Sequence, residues 1–331
     1  MRAHLVVERR CEKLFEGEVV AEIFAGRRRN TEAQTELIAV GFVVPEFGEM
    51  FQRFGRDRNN RFADATSATV AGKGFEGTHA GKATVSQMST DSNHISMELR
   101  ADVDLISSVI RTADLRSPVA ACPDWDLRKL VEHTGSVHRW ATHAIIHGSQ
   151  PPMDTNFSPG PDDNLAVWIV DGTTALIDAL AAAGPEAETW HPFPLEQKVW
   201  VWGRRLALET AMHRWDAQTA AGLEAMLDPE LSSTGIGEYL EMGLPRILAR
   251  ADVPPPSASL HVHCTDVSGE WLVWSDNGSY RMLPVHDKGD AALRGPAADI
   301  WLVLMGRLDR SEVDIVGDPA AADAWLDLPD W

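Results

Sequence analysis

The hydrophobic period of this chain changes at one proline-rich stretch, and that change limits the possible folds more than any other feature. From residue 88 to 247 the apolar residues recur at helical spacing, and beyond "ADVPPPSAS" (251–259) they first alternate before helical spacing returns. A period near 3.6 gathers residues on one face of a helix, and a period of 2 gathers them on one face of a strand. Consecutive prolines stiffen a chain and read as a spacer. The sequence therefore predicts an α+β protein: a helical bundle over 88–250, a linker, and a small α+β domain over 259–331.

Within the first part, a helix over 99–115 carries Val103, Ile106, Val109 and Ile110 on one side. A second runs to residue 146, with Asp124 or Asp126 as its N-cap. Its stripe includes Leu127, Leu130, Val131, Thr134, Val137, Ala141, Ala144 and Ile145. A third spans 164–183 and stops at Gly184-Pro185, a fourth spans 204–221 and stops at Gly222, and a further helix follows Asp228-Pro229 to residue 247. In the second part, strands are expected over 259–266, 270–277 and 279–285. A helix is expected over 295–308 with its cap before Ala297, then a strand over 313–318 and a last helix over 319–328.

Residues 1–87 read differently. They are nearly charge-balanced, whereas the chain as a whole carries −19, and none of the 12 Trp lies among them. Met88 opens a polar lead into the first amphipathic helix, so it is expected as the biological start, with 1–87 as upstream sequence. The rival expectation is a poorly ordered or regulatory extension.

The strong negative charge excludes nucleic acid as the main partner. The three cysteines, Cys11, Cys122 and Cys264, are far apart and form no C-x-x-C, which suits a reducing compartment rather than a disulfide framework. The apolar run at 37–44 is too short to span a bilayer. The chain is expected to be a cytoplasmic monomer with no membrane partner.

"LALETAMHRWDAQTAAG" (206–222) poses a chemical question. At 100° per residue, Leu206, Thr210, His213 and Ala217 share a face, with Glu209 at its edge and Arg214 and Trp215 directed elsewhere. A carboxylate and an imidazole on the apolar side of a helix need partners. A buried Glu–His hydrogen bond answers this, and so does a metal site, since Glu and His at i, i+4 project two ligands to one point. A metal needs a third ligand from another helix. The second helix offers His133, His138, His143 and His147; its wheel slightly prefers His138 to His133 and does not decide.

Two stretches together, "CPDWDLRKLVEHTGSVHRW" (122–140) and "ETAMHRWDAQTAAG" (209–222), resemble the mycothiol-dependent maleylpyruvate isomerase family. The resemblance covers about residues 97–331 and implies a DinB-like four-helix bundle that binds a divalent metal, Zn²⁺ by its donor types. It implies His133 as the third ligand, eight residues after Trp125, beside Glu209 and His213. It also matches Arg307 in "MGRLD" to a family arginine that faces the active site, here expected to hold a carboxylate or a developing enolate. Three protein ligands are the pattern of a catalytic zinc site. The resemblance implies mycothiol as thiol cofactor, held as thiolate by the metal, and either cis–trans isomerisation of an unsaturated acid or S-transfer to a small electrophile. The chain would then need no catalytic cysteine, and Cys122 is expected as buried structure. A non-catalytic metal- or thiol-sensing module, or a ligand-binding protein, is the alternative.

Overall fold

The computed structural model describes residues 92–160 and 164–328. The expectations for residues 1–87 and for Met88 as a start lie outside these. Four helices come first: α1 (Ser92–Ile110), α2 (Leu127–His147), α3 (Leu165–Ala183) and α4 (Val199–Ala220). The expected stripe of α2 is buried at every position, as are Val103, Ile106, Val109 and Ile110 of α1. Asp126 is the residue that caps α2, accepting from the Lys129 N–H at 2.8 Å. Asn164 caps α3.

The bundle is built on pairs, α1 against α3 and α4, and α2 against α3 and α4. Two glycines let α2 and α3 approach closely. A Cβ on Gly135 would lie 2.2 Å from the Trp168 ring, and one on Gly172 would lie 2.2 Å from the Arg139 guanidinium. Arg139 itself lies over Trp168 at 4.0 Å and donates to the Trp168 carbonyl at 2.6 Å. This interlock fixes the level of α2, and with it His133. α3 is long and apolar enough by composition to cross a membrane, with half of that stretch buried in the protein.

α4 starts five residues before the expected position, taking in the "WVWGRR" run; Trp202 is fully buried. α4 also feeds two cores. Ala217 packs with Val103, Leu130 and Ile169 of the bundle. Leu208, Ala211 and Met212 pack with the residues of the C-terminal sheet. With neighbours on most sides, α4 buries polar groups that a one-faced wheel directs to solvent. Arg214 is one, at 7% exposed, and its Nε donates to Asp102 at 2.9 Å.

The next helix is interrupted. α5 (Pro229–Glu238) and α6 (Leu244–Ala251) are joined by a π-helical turn, Tyr239–Gly243. Pro245 lacks the N–H that would pair with the carbonyl four residues back, and the Leu244 N–H reaches five back to Tyr239. The sequence assigns this segment to the bundle. Its apolar residues Leu231, Ile236, Leu240 and Leu244 instead pack in one core with Val262, Trp271, Ile300 and Trp325, so it belongs with the C-terminal domain.

That domain is a five-stranded mixed sheet: β1 (Leu260–Cys264), β2 (Glu270–Asp276), β3 (Ser279–Leu283), β4 (Ala291–Gly295) and β5 (Asp314–Gly317), in the order β3-β2-β1-β4-β5. Only β1 and β4 pair in parallel. Asn277 (φ 50°) and Gly278 (φ 79°) both take left-handed backbone, which makes the two-residue turn of the β2–β3 hairpin. The remaining helices are α7 (Ala297–Leu304) and α8 (Pro319–Leu326). β4 has no counterpart in the sequence expectations: "AALRG" is short and poor in β-branched residues, and pairing with β1 makes it a strand.

Candidate metal centre between the bundle and the sheet

His133 on α2 and Glu209 and His213 on α4 converge. Their ligand-capable atoms all lie within 4.8 Å of one another. His133 Nε2 is 3.2 Å from Glu209 Oε1, about the edge length of a tetrahedron with bonds near 2 Å. The two imidazoles meet edge to face at 5.2 Å between centroids. Trp125, at the turn before α2, lies 4.7 Å from the His133 ring and 6.2 Å from the His213 ring, backing both.

Two neighbours set the electrostatics. Arg205, one turn before Glu209, stands 3.3 Å from Glu209 and 2.7 Å from Glu238 of α5. Arg204 joins the same acid at 3.2 Å and reaches Glu241 at 2.9 Å. Burial acts to raise the Glu209 carboxyl, but the His133 hydrogen bond and the Arg205 charge outweigh it and hold the group well below the ordinary range. Burial lowers the His133 imidazole, against the pull of Glu209, and so favours its neutral, ligating form.

The second neighbour is Asp216. Its Oδ2 accepts from His213 Nδ1 at 3.1 Å. A ring that donates Nδ1–H to a carboxylate presents Nε2 as its lone pair, the arrangement common around metal-bound histidines. Asp216 is held in turn by Arg307, which donates from Nε at 3.2 Å and from its terminal nitrogen at 2.9 Å. Burial acts to raise Asp216, but His213 and Arg307 keep it lowered. The donor set, two imidazoles and a carboxylate held anionic, fits a divalent metal such as Zn²⁺.

The sequence expectations meet this geometry unevenly. His133, Glu209 and His213 are brought together. Arg307 reaches the same place from the far domain, but two nitrogens of its fork are engaged by Asp216, and a third donates to the Met305 carbonyl at 2.8 Å. It meets the site through Asp216, not as an unengaged anion-binding fork. Asp216 was missed, although it stands three residues after His213, one turn along α4. His138, which the wheel slightly preferred, is fully occupied elsewhere. Thr173 Oγ1 donates to the Ile169 carbonyl, so it accepts from His138 Nδ1–H at 2.8 Å, leaving Nε2 to accept from Thr210 at 2.9 Å. Cys122 is only partly buried, and Cys264 is buried with its thiol pushed up to about 12 by burial, which leaves it unreactive.

Comparison with known proteins follows the same division of the chain. Residues 97–218 match the mycothiol maleylpyruvate isomerase N-terminal domain, and residues 230–324 match the C-terminal domain of that family. The second match begins within α5, in line with the packing of that helix on the sheet. No curated protein matches the chain. Among solved structures, a crystal structure of the mycothiol-dependent maleylpyruvate isomerase is similar at 14% identity and a TM-score of 0.46, over 68% of this chain and 92% of that one. A histidine-to-alanine mutant of that isomerase gives the same values. With one family domain matched on the bundle and the other on the sheet, the chain belongs to the mycothiol-dependent maleylpyruvate isomerase family.

Proposed function

We propose that this chain is a mycothiol-dependent isomerase of a small cis-unsaturated acid, with a divalent metal held by His133, Glu209 and His213. The observation that carries the reading is the convergence of these three donors with His213 already oriented by Asp216. A metal bound there would supply a Lewis acid that keeps the mycothiol sulfur as thiolate near neutral pH. The chain's own residues prepare the place. Arg205 keeps Glu209 ionised, so no proton must leave before it ligates. Burial lowers the His133 imidazole and so favours its neutral form. Asp216 fixes the tautomer of His213, and Arg307 fixes Asp216, which makes Arg307 a positioning residue in this reading. Trp125 packs against both imidazoles.

S-transfer to an electrophile would use the same residues; the two differ in the fate of the thiol. The test has two parts. Co²⁺-loaded protein titrated with mycothiol should develop a sulfur-to-metal charge-transfer band. Turnover of a cis-unsaturated 2-oxo acid, followed by NMR, should give the trans isomer with mycothiol recovered unchanged. Absence of the band at saturation defeats the thiolate reading. Loss of one mycothiol per product replaces isomerisation by transfer.

A further inference from the structure

We propose a second divalent-metal site, in the C-terminal domain and separate from the bundle centre, formed by His261, His263, Glu270 and His286. These four residues bring ligand-capable atoms within 4.8 Å of one another.

The sheet register makes the cluster. Leu260, Val262 and Cys264 of β1 point into the core, so His261 and His263 share the opposite face. Antiparallel pairing sets Glu270 of β2 directly across from His263. The segment joining β3 to β4 returns over β1 and brings His286 to the same point. Its course is fixed by close backbone approach: a Cβ on Gly289 would lie 2.8 Å from the His261 backbone nitrogen. The three imidazoles then surround one point, with centroids 5.6 Å (His261–His263), 5.3 Å (His261–His286) and 6.0 Å (His263–His286) apart. Glu270 stands between them, with Oε1 2.6 Å from His263 Nδ1 and Oε2 2.7 Å from His286 Nδ1.

A hydrogen-bonded acid with two histidines around it does not account for the whole cluster. His261 is 7% exposed, and its Nε2 is buried without a hydrogen-bond partner. A buried imidazole nitrogen in that condition is unfavourable unless something else uses its lone pair. The His263–Glu270 contact is short but lacks the alignment of a hydrogen bond, as expected of two groups aimed at a common third point. Ligand atoms around a tetrahedral Zn²⁺ lie roughly 3.3 Å apart, so separations that here are all within 4.8 Å close by at most about 1.5 Å on binding. His286 can supply that movement, since its side chain is 75% exposed.

The composition of the set gives its role. Four protein donors complete a tetrahedral shell, the pattern of a structural site. The bound ion would tie β1, β2 and the β3–β4 connection together. It would leave no position for thiol or substrate, which distinguishes it from the three-ligand centre of the bundle.

The probe is Zn²⁺ alone, added to the full chain after chelator treatment, with bound metal counted by mass spectrometry and Co²⁺ spectra taken in parallel. Wild type should hold two ions per chain. His213→Ala should keep one ion, and His263→Ala should keep the other. Should His263→Ala fail to fold, the exposed His286→Ala serves in its place. With the metal of the bundle unaffected, His286→Ala should bind Zn²⁺ at the second site at least tenfold more weakly and show a smaller Zn²⁺-dependent rise in melting temperature than wild type. If His213→Ala retains no tightly bound ion, or if His263→Ala and His286→Ala both hold two as wild type does, the second site does not exist. A result of one ion in wild type that His213→Ala removes overturns this site and leaves the bundle centre intact. One ion that His213→Ala spares and His263→Ala removes overturns the bundle centre instead.

Discussion

Asp216→Asn tests how far the bundle centre depends on the neighbouring domain. The substitution keeps the size of the side chain and removes its charge. In the native protein the Asp216 side chain is 0% exposed, and that of Arg307 is 11% exposed. Removing the charge breaks the buried ion pair between Asp216 and Arg307, which costs about 3 kcal/mol. It also weakens the acceptor for His213 Nδ1–H. Loss of such an outer partner lowers metal affinity about 10–100-fold, equivalent to roughly 1.4–2.8 kcal/mol. Two assays separate these effects: urea unfolding of the metal-free protein, and competition with a chelator for Zn²⁺. Arg307→Gln should weaken the metal through the same carboxylate, so the double variant should lose less than the sum of the two singles. If apo stability falls while Zn²⁺ affinity stays within threefold of wild type, Asp216 is a strut between domains and the orientation argument for His213 fails.

Protonation of His138, lowered to about 4 by burial, should destabilise the fold in acid. The unfolded chain binds this proton near pH 6.5 and the folded one near 4, so the stability it confers is full above pH 6.5 and is lost as pH falls toward 4. The loss should be on the order of 3 kcal/mol, read as the excess acid sensitivity in urea unfolding over His138→Asn; an equal sensitivity in the two proteins would refute it. Asp102→Ala removes the carboxylate from buried Arg214 and should lower unfolding free energy by about 3 kcal/mol with metal content unchanged; a change under 1 kcal/mol would show that Gln218 and the Met226 carbonyl suffice for Arg214. Gly235→Ala puts a Cβ 2.3 Å from the Trp301 ring, where α5 meets α7, and should cost about 1–3 kcal/mol in the same assay; a neutral result would mean that the ring shifts freely.

The parts legible in the sequence were those set by local pattern. α2 is one-faced, its stripe repeats cleanly and Asp126 caps it, so both its extent and its core residues followed from spacing. α4 obeys the same rule less well because it touches two cores. The wheel that placed Leu206, Thr210 and His213 inward had no means of finding Arg214 and Asp216 buried on other sides. β4 and the allegiance of α5 depend on partners distant in sequence, β1 for the one and Trp301 for the other, and neither carries a local signal. The choice between His133 and His138 shows the same limit. The wheel angles differ little; what separates them is that α3 and α4 each offer His138 a threonine hydroxyl, whereas Trp125, Glu209 and His213 surround His133. The resemblance to the family implies His133, which the wheel angles alone leave open.

The charges around the bundle centre form a chain whose order bears on its chemistry. Arg204 and Arg205 face three acids, Glu209, Glu238 and Glu241. Asp216 is matched separately by Arg307. Lys129 also acts on His133, and Arg246 on Arg205, so the buried acids of the centre stand balanced against several cations, as a low-dielectric site requires. Glu238 is the hinge of this balance, since it is 4% exposed and takes both Arg204 and Arg205. Because Glu238 ends α5 and Arg307 follows α7, the C-terminal domain supplies one group to each half of the chain. His133, Glu209 and His213 come from the bundle alone, but the charged groups that hold them come from both domains.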